Sequence, residues 1–146
     1  MSEGMPGLLV VSHGHLAEEF VRAANMIVGP VETMEAVSIG WDDDVDEARR
    51  RIEAALGRIG RRGPVLILTD MFGGTASNLA HSLLEPGRID VVTGVNLAML
   101  IKFCNLRGQM PFEDVARTIA DQGRTAIQVA SELLRKRRAG EEGSGR

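Results

Sequence analysis

The stretch from Val65 to Asn78, VLILTDMFGGTASN, joins an apolar run to a glycine-containing turn and the start of a helical pattern. A short run of leucine and β-branched residues without polar alternation is typical of a strand buried on both faces. The Gly-Gly-Thr that follows is typical of the beginning of a helix, whose unpaired amides attract anions. Asp70 lies between the two elements. We therefore expect it at the carboxyl end of a strand, where open α/β sheets bind ligands.

Strand and helix patterns alternate along the whole chain. The apolar runs predict strands at Leu8–Val11, Met34–Ile39, Val65–Thr69 and Ile89–Thr93. Helical spacing of apolar residues predicts helices at Leu16–Val28, Val45–Ile59, Gly74 to about Leu84, Leu97–Leu106 and Pro111 to about Asp121. This alternation is typical of βαβ units. It predicts an α/β three-layer sandwich, with a mostly parallel central sheet in the order 2-1-3-4 and helices on both faces.

The C-terminal part of the chain is less regular. Gly123 predicts a break in the preceding helix, and the alternation of Ile127 and Val129 favours a last, antiparallel strand over Thr125–Ala130. A helix that continues through the same segment is the alternative. We place a single domain at residues 1–134 and predict that the charged, glycine-rich residues 135–146 form a disordered tail.

Composition excludes several classes of protein. With 146 residues, 44% of them hydrophobic, and a net charge of −3, the chain can bury a core and favours neither nucleic acid nor a lipid surface as its partner. The single cysteine, Cys104, excludes an intramolecular disulfide. The apolar runs are far shorter than the ~20 residues that span a bilayer, and no signal peptide is evident. We expect a cytoplasmic protein.

Polar residues suited to phosphoryl chemistry lie at two predicted strand ends. His13 follows the first strand and Asp70 the third. If these strands are neighbours, the two side chains face each other across one strand spacing, ~5 Å. A neutral imidazole nitrogen is a good nucleophile, and a carboxylate on the opposite nitrogen selects the tautomer and stabilises the cation. With the anion-binding turn at Gly73, Gly74 and Thr75, the pattern predicts a histidine that accepts and passes on a phosphoryl group.

Simpler interpretations of the same residues exist. Asp70 could serve only as an N-cap, and Asn96 only as a turn residue. His13 and His15 form a His-x-His pair that would suggest a metal site, but further ligands at suitable spacing are missing, so we predict neither a metal nor a cofactor. Ser12, His15 and Asn96 are candidates for residues that support the site from outside.

Three segments around these residues resemble a known family. They are Val10–Gly14 (VVSHG), Thr69–Thr75 (TDMFGGT) with Asn78, and Gly94–Leu97 (GVNL) with Met99 and Leu100. In this order they resemble the mannose-type enzyme IIA of the bacterial phosphoenolpyruvate-dependent sugar phosphotransferase system. The likeness extends over roughly Gly7 to Leu134.

The resemblance implies a cytoplasmic phosphocarrier. His13 would accept a phosphoryl group from phospho-HPr and pass it to a IIB protein, and Asp70 would orient the imidazole. The residues implied in phosphate binding are Gly14, Gly73, Gly74 and Thr75. The family also implies a homodimer that exchanges its last antiparallel strand, which would suit Thr125–Ala130. The IIB partner would be a separate protein, because the chain carries no linked IIB domain.

Two residues depart from the family pattern. Ala76 and Ala98 stand where members usually have proline, but a helix tolerates proline in its first turn without requiring it. The chemical residues are unaffected. Two other functions remain open for the same histidine: a regulatory switch that reports phosphorylation state without sugar transport, and the phosphodonor subunit of the related dihydroxyacetone kinase system. A metal hydrolase that uses His13 and His15 is the least favoured alternative.

Overall fold

A computed structural model describes residues 4–106 and 108–144. Strands and helices alternate as the apolar patterns predict. In chain order they are β1 Gly7–His13, α1 Leu16–Val28, β2 Met34–Ile39, α2 Val45–Ile59, β3 Val65–Thr69, α3 Thr75–His81, β4 Ile89–Thr93, α4 Leu97–Leu106, α5 Phe112–Thr125 and α6 Ala130–Ser144. None of the helices in these described ranges combines the length and apolar character needed to span a bilayer.

The central sheet is parallel and has the order β2-β1-β3-β4. β1 and β3 are neighbours, with Gly7 opposite Val65 and Val11 opposite Thr69. Both strands are buried almost throughout, which explains why their sequences lack polar alternation. The predicted α/β sandwich and strand order are confirmed. This order brings the carboxyl ends of β1 and β3 side by side.

Each face of the sheet packs against its own hydrophobic core. On one face, α1, α4 and α5 surround Phe103, and on the other, α2 and α3 cover Ile52 and its neighbours. Val10 belongs to the first core and Val11 to the second, because successive strand residues point to opposite faces. The strands that carry the candidate site are therefore held from both sides.

The end of α3 differs from the prediction. The helix ends at His81 rather than near Leu84. Glu85 and Ile89 exchange backbone hydrogen bonds of 3.0 and 2.8 Å as an isolated antiparallel bridge. The chain must leave the helix early to reach this bridge, and tertiary hydrogen bonding therefore overrides the helical pattern.

Gly123 does not break α5, contrary to the prediction. The helix continues to Thr125, and Gly123 is buried within it. A Cβ at this position would lie 2.6 Å from Met99 Sδ on α4. The glycine therefore permits close packing of two helices, a role that cannot be distinguished from a helix break in the sequence alone.

The antiparallel last strand predicted over Thr125–Ala130 is not present in the described sheet. α5 takes up Thr125, and residues 127–129 form an irregular link to α6. Ile127 and Val129 are 75% and 54% exposed. Among the described residues no strand pairs with this segment, and an unpaired strand is not stable in water. Helix α6 covers much of the predicted tail, and the domain boundary after residue 134 stays a prediction.

Candidate active site

His13 and Asp70 are in direct contact at the carboxyl edge of the sheet. His13 is the last residue of β1, and Asp70 follows β3. Asp70 Oδ2 accepts two hydrogen bonds of 2.8 Å from His13, one from the backbone amide and one from Nδ1. Asp70 Oδ1 accepts a third, of 2.9 Å, from the Met71 amide. The carboxylate is held by these donors and in turn orients the imidazole.

This contact defines the tautomer of His13. An ionised carboxylate only accepts hydrogen bonds, so Nδ1 carries the ring proton and Nε2 carries the lone pair. The side chain of His13 is 39% exposed, whereas that of Asp70 is 13% exposed. Asp70 therefore lies behind the ring, and Nε2 with its lone pair is on the ring edge remote from it.

The pKa of Asp70 lies below its ordinary value. Burial is the largest single influence and favours the neutral carboxyl, but the hydrogen bonds from the His13 amide, the His13 imidazole and the Met71 amide together outweigh it. Asp70 therefore stays ionised further into the acid range than a free aspartate. The tautomer of His13 is maintained for as long as this carboxylate is ionised.

Gly74 lies against the His13 imidazole. A Cβ at this position would be 2.5 Å from Cε1 and 2.8 Å from Nε2. The backbone of Gly74 has φ −89°, which any residue can adopt, so the ring excludes a side chain here and the backbone does not. Gly73 differs, because its φ of +91° lies in the left-handed region that favours glycine. Gly73 therefore makes the turn, and Gly74 leaves space for the imidazole ring.

The turn after Asp70 leads into α3 beside His13 Nε2. Helix α3 begins at Thr75, whose side chain is exposed, and the first amides of a helix have no partner within it. Free amides therefore lie next to Gly74, the residue that contacts the ring.

Gly14, by contrast, does not offer a free amide to a phosphate. Its amide donates a hydrogen bond to the Ile39 carbonyl at 2.9 Å. With φ +57°, Gly14 contributes a left-handed turn that directs the chain into α1.

Ser12 and His15 lie beside the site without contacting its reactive atoms. Ser12 is fully buried, and its Oγ accepts a 2.6 Å hydrogen bond from the Ala17 amide at the start of α1. The side chain of His15 is 86% exposed, with its Nδ1 3.5 Å from Glu18. Within the described part of the chain, His, Cys, Asp and Glu form no group of three that could hold a metal ion.

Asn96 caps a helix rather than entering the site. Its Oδ1 accepts a 3.2 Å hydrogen bond from the Met99 amide, and its Nδ2 donates to the Gly123 carbonyl at 3.0 Å. The first contact caps α4 and the second ties α4 to α5. This agrees with the interpretation of Asn96 as a structural residue.

Exposed apolar side chains border this edge of the sheet, and the sequence analysis did not single them out. Trp41, just after β2, is 97% exposed, and Phe72 and Met71, just after β3, are 77% and 59% exposed. Phe72 packs against His81 with ring centroids 5.6 Å apart. Their position directly after strands that end beside His13 is the signal that could have identified them.

Comparison with known proteins identifies the class of protein to which this chain belongs. The family model EIIA-man, described as "PTS system fructose IIA component", matches residues 7–120. The chain therefore belongs to the mannose-type family of enzyme IIA components of the sugar phosphotransferase system.

Individual relatives agree with this assignment. The fructose-specific EIIA component of Bacillus subtilis (strain 168) is 29% identical over 133 residues, which cover 90% of this chain and 91% of that protein. The mannose-specific EIIAB component of Escherichia coli (strain K12) is 28% identical over 128 residues, which cover 83% of this chain but 38% of that longer protein.

Solved structures share the fold. The mannose/sorbose-specific IIA subunit from Enterococcus faecalis has a TM-score of 0.76 at 31% identity, covering 85% of this chain and 93% of that one. The IIA protein associated with the fucose utilization operon from Streptococcus pneumoniae has a TM-score of 0.80 at 23% identity, with coverages of 92% and 99%.

Replacing Asp70 is expected to change stability in a pH-dependent way. Because the folded-state pKa is lowered, the stabilisation is complete above the unfolded pKa of about 3.9 and is lost as pH falls through the folded value. Asp70→Asn should therefore reduce the free energy of unfolding by about 2 kcal/mol at pH 7 and by less below about pH 4. Urea unfolding across this range measures it, with exposed Asp121→Asn as the control. A deficit that does not vary with pH would contradict the assignment.

Gly74→Ala is expected to displace the His13 ring, because the new Cβ would overlap Cε1 and Nε2. The Nδ1–H signal of His13, protected by Asp70, should disappear from the imidazole NMR spectrum, with a stability loss of about 1–3 kcal/mol. Gly57→Ala is the matched control, because a Cβ there meets no atom within 4 Å. Retention of the Nδ1–H signal in Gly74→Ala would show that the ring does not need this space.

Proposed function

We propose that this protein is a phosphocarrier that accepts a phosphoryl group from phospho-HPr on His13 and passes it to a IIB protein in the cytoplasm. The observation that carries the proposal is the 2.8 Å hydrogen bond between His13 Nδ1 and Asp70 Oδ2. It leaves Nε2 as the nucleophile, beside a glycine turn that opens a helix. Membership of the enzyme IIA family supports the general role.

The transfer needs no proton to leave the His13–Asp70 pair. The lone pair of His13 Nε2 attacks the phosphorus of the donor's phosphohistidine, the donor's P–N bond breaks, and its electron pair returns to the donor imidazole. The phosphorylated His13 ring is cationic because Nδ1 keeps its proton. The Asp70 carboxylate, 2.8 Å from Nδ1, balances this charge. Transfer to the IIB protein is the same step with His13 as the donor, so the arrangement suits a reversible carrier.

Backbone amides hold the phosphoryl oxygens in this proposal. Gly73 turns the chain, Gly74 keeps the space beside Nε2 open, and the amides from Thr75 onward begin α3 next to that space. Positioning and charge neutralisation dominate phosphoryl transfer. The proposal therefore invokes neither a metal ion nor a cofactor.

Phosphorylation by phosphoenolpyruvate, enzyme I and HPr tests the function. Wild-type protein should incorporate one phosphoryl group, mapped to His13 by mass spectrometry, and His13→Ala should incorporate none. Asp70→Ala should be labelled about 10–100-fold more slowly, because the ring loses its orienting carboxylate. His15→Ala and His81→Ala are the controls and should be labelled normally. An unlabelled wild type, a labelled His13→Ala or an unchanged rate in Asp70→Ala would each count against the proposed roles.

We also propose a homodimer in which residues 127–129 of each subunit pair antiparallel with the sheet of the other. Strand β4 is an edge strand with a neighbour on one side, and edges of this kind are usually covered. The adjacent link displays two exposed apolar side chains, Ile127 and Val129, in strand-like alternation. The uncovered edge of β4 and the exposed apolar side chains of the nearby link together support the strand exchange that the family resemblance implies.

The double variant Ile127→Asp with Val129→Asp is expected to be monomeric, because charged side chains would be buried against the partner sheet. Sedimentation equilibrium measures the change. Met26→Asp, at a side chain that is 81% exposed on α1, is the control and should leave the dimer intact. A wild-type protein that sediments as a monomer would contradict the exchange.

A further inference from the structure

Trp41 has an unusual position for the only tryptophan of the chain. Its side chain is 97% exposed, although a covered tryptophan buries on the order of 150–250 Å². It lies at the edge of the sheet where His13 ends β1. Aromatic side chains are enriched in protein interfaces, where tryptophan is among the residues that contribute most to affinity.

Hydrogen bonds hold the loop that displays Trp41. The Asp43 carboxylate accepts from the Gly40 amide at 2.6 Å and from Arg51 Nη1 at 3.1 Å. Arg51 also donates to the carbonyl of Ser38. The loop is therefore tied to both β2 and α2. A side chain presented from a preorganised loop loses little conformational freedom when a partner covers it.

Trp41 is close enough to His13 for one partner to cover both. His13 is aligned with Ile39 of β2, and the Gly14 amide bonds to the Ile39 carbonyl at 2.9 Å. Neighbouring strands lie about 4.8 Å apart and two further residues span at most about 7 Å, so the Cα atoms of Trp41 and His13 are within about 12 Å. A standard interface of about 800 Å² per partner has a radius of about 16 Å. An interface of this radius centred on His13 therefore extends to the position of Trp41.

The loops at this edge are acidic. Residues 14–15, 40–44, 70–74 and 94–96 contain no lysine or arginine, but they contain the aspartates Asp42, Asp43, Asp44 and Asp70, of which Asp43 is paired with Arg51 of α2. A phosphoryl donor carries its own dianion to this edge, and like charges repel each other. The donor must therefore bring basic side chains to offset the repulsion. An apolar anchor adds attraction that does not depend on charge.

We propose that Trp41 anchors the phosphoryl donor by inserting its indole into an apolar pocket framed by basic residues on that protein. This inference rests on the proposed function and adds a specificity-determining residue to it. Trp41 does not touch the reacting atoms. Its loss should weaken the encounter with the donor without slowing transfer inside the complex, so the effect should fall on KM for the donor and leave kcat unchanged.

Initial rates of His13 phosphorylation against phospho-HPr concentration test the anchor. Trp41→Ala should raise KM at least ~10-fold, and Trp41→Phe should recover most of this loss. Met26→Ala is the matched control, since Met26 is also exposed but lies about 15 Å along α1 from the start of that helix at the carboxyl edge of the sheet. It should behave as wild type. Urea unfolding midpoints verify that the variants are equally folded.

Fluorescence supplies a second measurement that does not depend on catalysis. The difference in emission between wild type and Trp41→Phe comes from Trp41 alone, because the chain has no other tryptophan. Adding HPr should shift this difference spectrum to shorter wavelength as the indole leaves water.

The acidic loops give a separate prediction about charge. The double variant Asp42→Lys with Asp44→Lys should raise KM for phospho-HPr and reduce the dependence of KM on salt, because it removes negative charge that attracts the basic side chains of the donor.

The possible failures are distinguishable. An unchanged KM in Trp41→Ala, with wild type phosphorylated normally, would overturn the anchor and leave the phosphocarrier function standing. A wild type that phospho-HPr does not phosphorylate would overturn the function itself. If Trp41→Ala slowed only phosphoryl transfer from His13 to the IIB protein, Trp41 would belong to the surface that binds the acceptor. If the emission of Trp41 shifted with protein concentration in the absence of HPr, Trp41 would belong to a contact between copies of this chain. Both results would contradict the donor anchor.

Discussion

Parallel hydrogen bonding between β1 and β3 aligns Gly7–Val11 with Val65–Thr69, so the two strands end at the same edge of the sheet. The rest of the candidate site depends on this register. A slip of one residue would turn each side chain to the other face, because strand side chains alternate with a period of two. With the observed register, Asp70 accepts hydrogen bonds from both the amide and the imidazole of His13. The two cores, one on each face, hold the strands in this arrangement.

Charge and space at this edge are organised around one imidazole. Asp70 lies behind the ring with a lowered pKa, despite burial, because of its three hydrogen bonds. Gly74 provides the space beside Nε2, which no other residue type provides without displacing the ring. The surrounding loops are acidic and display Trp41. The same edge therefore combines an imidazole nitrogen with an accessible lone pair, a carboxylate that would balance a charge on the ring, and acidic loops.

Much of the fold could be predicted from the sequence, because local patterns determine it. Most strand and helix bounds agree with the periodicity, and the parallel order follows from the alternation of the two kinds of element. Two errors share one cause, which is contact between residues distant in sequence. Gly123 is a packing glycine against Met99, and α3 is shortened by the bridge from Glu85 to Ile89. The antiparallel strand over Thr125–Ala130 is not among the strands of the described chain, in which α5 extends to Thr125 and residues 127–129 are irregular.

The sequence by itself determined the class of fold, the position of His13 and Asp70 at strand ends, and the glycine turn before α3, since these depend on periodicity and on backbone preferences. Only the tertiary structure decided that Asp70 Oδ2 accepts both donors of His13 and that Gly74 leaves space for the ring. It also decided that the Gly14 amide bonds to the Ile39 carbonyl instead of remaining free. It further decided that Asn96 caps α4 and that Trp41 is exposed to solvent beside the site. These are distances between atoms far apart along the chain, and they exist only once the strands have paired.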